Sequence, residues 1–118
     1  MPRRRIDPTD GLAAVREWRE GGAPRARVRT AVRFSLEELG ELHPGRSVEV
    51  RVPPVGAVQI LPGTTHRRGT PPAVVETDAD TWLRLTVGDL AWGEAVAGGL
   101  VQASGERTDL SEFLPYLG

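Results

Sequence analysis

Apolar positions along this chain switch between helical and strand spacing, and the switches fall at glycine and proline. Ile6-Asp7-Pro8-Thr9-Asp10 is a helix opening, with Asp7 as N-cap, Pro8 at the first position and Asp10 beside the positive helix end. Leu12, Val15 and Trp18 or Arg19 form its stripe, and Gly21-Gly22 ends it. From Arg25 to His43 two periods compete. Val28, Thr30, Val32, Phe34 and Leu36 alternate as in a strand, whereas Val28, Ala31, Val32, Ser35, Leu36, Leu39 and Leu42 recur at helical spacing. The helical pattern spans more residues and leaves only Phe34 off its face, so a helix is expected, ended by His43-Pro44-Gly45. Val48, Val50 and Val52 then alternate with Glu49 and Arg51, and a second strand over 57–61 follows the prolines at 53 and 54. The short connection suggests an antiparallel pair. Residues 62–72 lack periodicity and read as an exposed loop, and 73–76 as a third strand.

The stretch from Thr77 to Gly105 is the most legible. Thr77 can cap a helix whose first turn holds Asp78 and Asp80. Trp82, Leu85 and Thr86 share a face, and Gly88 supplies the left-handed stop. A short helix with Leu90, Ala95 and Val96 ends at Gly98-Gly99, and a period of two takes over to Gly105. Beyond it, Thr108 or Asp109 can cap a C-terminal helix with Leu110, Phe113, Leu114 and Leu117 on its apolar side, interrupted by Pro115.

This order of parts resembles the C-terminal half of the sterol carrier protein type-2 family, in a bacterial stand-alone form. The resemblance rests on the strand and acidic helix start at 72–78, Trp82-Leu83, Gly88, Leu90, Ala95-Val96, Gly99, Val101, Gly105 and the run from Leu110 to Leu117. It covers roughly residues 56 to 118, and its ordered spacing is more specific than any one piece. It implies an α+β fold, a small mixed or mainly antiparallel sheet with helices packed on one face. The family has a strand where 28–36 reads as helix, so the sheet is expected to have four to five strands.

Composition narrows the function. The 118 residues suffice for one domain over 1–118 with a single core, and 39% hydrophobic with 26% charged residues is ordinary for a soluble protein. All fifteen basic residues are Arg, with no Lys or Asn, which points to a GC-rich bacterial genome. A formal net charge of −1 argues against nucleic-acid binding. The absence of cysteine removes disulfides, thiolate nucleophiles and Cys-ligated metal. No apolar run reaches the roughly 18 residues of a membrane span, and Arg3-Arg4-Arg5 is followed by no apolar signal segment, so a cytoplasmic location without integral membrane association is expected.

No catalytic arrangement is visible. Ser-His-Asp and Cys-His sets cannot be assembled, Gly98-Gly99 precedes a strand and not a phosphate-binding helix, and the carboxylates are scattered. No enzyme activity, cofactor or metal is expected. The positive signal is apolar. Trp82, Leu85, Val96 and Val101 are expected to project between helices and sheet, together with Leu110, Phe113, Leu114 and Leu117 from the C-terminal helix. The resemblance implies a lipid-sized cavity there, covered by that helix, that holds a fatty-acyl or other lipid-like ligand. His66, Arg67 and Arg68 are candidate headgroup contacts. The alternative is an accessory module of a thiol-dependent isomerase-type system, like the C-terminal domain of mycothiol-dependent isomerases, with little ligand binding; a protein partner or a homodimer stays open in either reading.

Overall fold

The structure, a computed structural model, describes residues 6–63, 73–105 and 108–117. Two helices open it: α1 spans Pro8–Glu20 and α2 spans Arg25–Leu42. The helical period therefore prevails over 28–36. Alternation alone buries one side of a segment, and α2 has to bury two. Phe34, the residue expected off the face, is only 2% exposed because it packs against α1. A Cβ at Gly11 would stand 2.2 Å from Phe34 Cγ, so glycine there is what admits the ring. The buried stripe of α1 is accordingly Gly11, Ala14 and Val15, while Leu12, expected inside, is turned outward. Asp7 occupies the N-cap position without a side-chain cap bond.

Charges finish the helix pair. Arg27 donates through Nε and Nη2 to Glu17 at 2.9 Å each, and through Nη1 to Asp10 at 3.1 Å. These bonds hold the Glu17 carboxyl below its ordinary range and raise the guanidinium further above its own. The other side of α2 lies on the sheet, where Gly40 lets the helix approach Val58; a Cβ there would be 2.9 Å from Val58 Cγ2.

Among the described residues the sheet has four strands: β1 (Val48–Val52), β2 (Gly56–Ile60), β3 (Ala73–Thr77) and β4 (Val101–Ser104), in the order β2-β1-β3-β4. As the short connection suggested, β1 and β2 are antiparallel, with Val50 opposite Val58. β1 and β3 run parallel, and β3 and β4 antiparallel, which makes the sheet mixed. Val48, Val50, Val52, Ile60 and Val75 are fully buried under the helices. On the opposite face Arg51 and Gln59 are exposed.

Between β3 and β4 lie α3 (Ala79–Val87) and α4 (Trp92–Ala97). The cap of α3 is Asp78 and not Thr77. Asp78 accepts from Thr81 N at 2.8 Å and from Thr81 Oγ1 at 2.9 Å. Thr77 is committed elsewhere, as the last residue of β3 opposite Val101, with its hydroxyl donating to Leu100 O at 2.7 Å. At the other end Gly88 takes φ 87°, Gly88 N reaches Leu85 O and Asp89 N reaches Arg84 O, the Schellman arrangement that pairs otherwise orphaned carbonyls.

The expected C-terminal helix is not formed; a single 3₁₀ turn, Ser111–Phe113, takes its place. Two causes are visible. Pro115 has no donor to continue a helix. The N–H groups of Tyr116 and Leu117 are used instead on Thr86 O, at 3.0 and 2.9 Å, where α3 leaves a carbonyl free at its end.

Candidate functional site

Between α2 and α3 the interior is closed to solvent at Trp82. Trp82 is fully buried, and its indole Nε1 donates to Ser35 Oγ at 2.9 Å. Ser35 Oγ in turn donates to Val32 O at 2.6 Å, and Ser35 O accepts from the Tyr116 hydroxyl at 2.6 Å. One small residue thus ties α2, α3 and the C-terminal segment together with every polar group partnered, the condition under which buried polar groups specify a single packing. Burial pushes the Tyr116 phenol well above its ordinary pKa.

The C-terminal segment wraps this core. Leu110 is 1% exposed, Phe113 packs on His43 with ring centroids 4.6 Å apart and the planes tilted by 57°, and Tyr116 and Leu117 hang on Thr86. Held this firmly, it is a structural strap. Asp109 sits below its usual carboxylate range because the Ser111 backbone N–H bonds it at 2.9 Å.

Where the strap turns past the end of α3, a cleft of about 420 Å³ opens. Its apolar wall is Leu85, Leu90, Trp92, Leu114 and Pro115. The Schellman turn and the start of α4 bring Leu90 and Trp92 to one side, and the strap, held by the bonds of Tyr116 and Leu117 to Thr86 O, brings Leu114 and Pro115 to the other. Its charged lining is acidic, Asp89 and Glu94. Arg19 of α1 forks onto Asp89, with Nη2 to Oδ1 at 2.7 Å and Nε to Oδ2 at 3.2 Å. Glu94 Oε1 accepts from Ala91 N at 3.4 Å. Two other hollows, of about 270 and 310 Å³, lie along β3 and β4 and carry polar linings that include Glu76 and Gln102.

The residues expected at the site are thereby divided. Leu85 and Leu114 meet in the cleft. Trp82 and Leu110 are packed core, and Val101 is buried beside it at 9% exposure. Phe113 and Leu117 are half-buried against the core. Val96 does not project between helices and sheet. It is 49% exposed, because the six-residue α4 turns only Ala95 fully inward. His66, Arg67 and Arg68, like Arg3 to Arg5, lie outside the described residues. Trp92, Asp89 and Arg19 were not expected at a site. The only local hint was an aromatic and an acid on either side of a helix start just after a glycine stop. Arg19 is 70 positions away from Asp89 and left no sequence signal.

Among the described residues there is no group of three potential metal ligands, and no helix long and apolar enough to cross a membrane. No curated protein matches the chain. A family model described as bacterial SCP ortholog matches residues 24–116, which takes in α2, all four strands, α3, α4 and the strap and leaves α1 outside. With most of its length matched, and with the helix, glycine stop, short helix and strand in the order that first suggested it, the chain belongs to the bacterial sterol carrier protein orthologs.

Proposed function

We propose that this protein is a non-enzymatic carrier that holds the apolar chain of a lipid-like ligand in the cleft between the end of α3, the start of α4 and the C-terminal strap. The carrying observation is the contrast in lining and volume. About 420 Å³ with a wall of Leu85, Leu90, Trp92, Leu114 and Pro115 lies beside a core in which Trp82 is fully buried and hydrogen-bonded. Small-molecule sites fall at roughly 300–1,000 Å³ and are mostly apolar with a few polar groups at one end. Membership in the sterol carrier family supports a lipid-binding role in general. A fatty-acyl chain is the ligand class that fits an open apolar slot of this size.

Gly93 makes a clean test. It lines the cleft, and a Cβ there would meet nothing within 4 Å. Gly93→Phe should therefore fold normally and fill the slot. The expected result is saturable binding of a fluorescent fatty-acyl probe to the native protein and its loss in Gly93→Phe, with unchanged circular dichroism. Undiminished binding in the variant would remove the cleft from consideration.

A second reading, an accessory module docked on a partner protein, is favoured by Val96 and Leu100, both large and exposed around the α4–β4 connection at 49% and 41%. Native protein that binds no probe at all would leave that reading standing alone.

A further inference from the structure

The cleft has apolar walls from elements inside the family match, but its rim is completed by a residue from outside it. Arg19 belongs to α1, which precedes residue 24, where the match begins. Both of its bonds go to Asp89, and α1 is held in place independently of that pair. Trp18 Nε1 donates to Asp80 Oδ1 at 3.2 Å, Phe34 fills the space over Gly11, and Arg27 is bonded to Glu17 and Asp10. The position of α1 therefore does not depend on Arg19, and the Schellman turn fixes Asp89 by its own backbone bond to Arg84 O at 2.9 Å.

The pair's contribution to stability is small, since Arg19 and Asp89 keep 50% and 40% of their side-chain surface in solvent. Its electrostatic consequence is more specific. Without Arg19 the charged lining of the cleft would be two carboxylates, Asp89 and Glu94. With it, one of the two, Asp89, is neutralised at contact distance by a cation that stands just outside the lining.

Resting on the cleft reading above, we propose that Arg19 is a specificity-determining residue: by neutralising Asp89 it lets the cleft accept amphiphiles with an anionic carboxylate head, which an uncompensated acidic rim would select against in favour of cationic heads. Selectivity of this kind comes from a charge placed against the wrong ligand as much as from contacts to the right one.

The test exploits the fact that Arg19→Gln and Asp89→Asn break the same pair but leave opposite charges behind. Two single-chain probes of equal length, dodecanoate and dodecylammonium, are titrated against each protein at low salt, below their aggregation range. Arg19→Gln should weaken dodecanoate and tighten dodecylammonium, and Asp89→Asn should do the reverse. Each shift should be about threefold, the effect of a unit charge about 7 Å away in a water-like dielectric. Arg19→Lys should restore the native ratio, and the shifts should vanish near 1 M salt, where screening acts within about 3 Å. A purely structural role for the pair predicts that both variants move both probes the same way, and that outcome overturns the specificity role while leaving the cleft intact. Failure of either probe to bind the native protein saturably overturns the cleft reading and this proposal with it.

Discussion

The two ends of α3 solve opposite problems. At its N-terminal half, Trp82 and Leu83 are fully buried, and the one indole N–H is matched to the one hydroxyl of Ser35. At its C-terminal end Leu85, itself only 1% exposed, forms part of the cleft wall, where the cleft runs between the turn at Gly88 on one side and the strap at Leu114 and Pro115 on the other. The same helix is therefore core and cleft wall, nine residues long. What separates the two roles is the partner. Against α2, a long regular helix can interdigitate until no gap remains. Against the turn at Gly88 and the strap at Pro115, the backbone is fixed by its own hydrogen bonds before side chains can close the space.

The largest effect should come from breaking the filled end. Trp82→Ala removes the largest buried side chain and orphans the Ser35 hydroxyl's acceptor role, at a cost of about 3–5 kcal/mol. Urea unfolding should show a midpoint lowered by most of the stability of such a domain. A shift under 1 kcal/mol would mean that the interior is not closed at Trp82.

An intermediate effect tests the strap that joins the two ends. Tyr116→Phe deletes the hydroxyl bond to Ser35 O and should cost about 0.5–1.5 kcal/mol at neutral pH. The phenol also links stability to pH. Its folded pKa is raised by burial, so the folded state binds the proton more tightly. The contribution is fully present below the unfolded value near 10 and is lost as the pH climbs from there toward the folded value. The native protein should lose stability above about pH 10 more steeply than Tyr116→Phe. Because Tyr116 is the chain's single tyrosine, its phenolate absorbance reports the titration without ambiguity. Ionisation near 10 in the folded protein would show the strap to be loose.

The smallest effect belongs to the open end. Leu90 is half-buried and borders the cleft. Leu90→Ala should cost about 1 kcal/mol or less, because the void it leaves is already solvent-connected, in contrast to the 2–5 kcal/mol typical of a closed core. The same variant should weaken the fatty-acyl probe measurably. A large loss of stability with unchanged binding would reverse the comparison.

Local sequence determined the elements, and with them much of the fold. Pro8 and Gly21 bound α1, Asp78 and Gly88 bound α3, and the alternation of Val48, Val50 and Val52 made an inner sheet face, because capping, glycine conformation and period act over a few residues. The family was legible for the same reason, since it is written in the order of such signals from Gly88 to Gly105. Only the tertiary structure decided what covers what. Phe34 is core because Gly11, 23 positions earlier in the numbering, leaves room for its ring, and Val96 is exposed because α4 turns its neighbour Ala95 inward and consecutive helical residues point about 100° apart. The C-terminal run shows the same division. Its apolar spacing is helical, but the carbonyl of Thr86 offers Tyr116 and Leu117 a better partner than the next turn, which Pro115 could not complete. The cleft and its Arg19–Asp89 rim exist only as a meeting of distant segments. Periodicity describes one segment's faces, and a site built where three segments fail to close leaves no period behind.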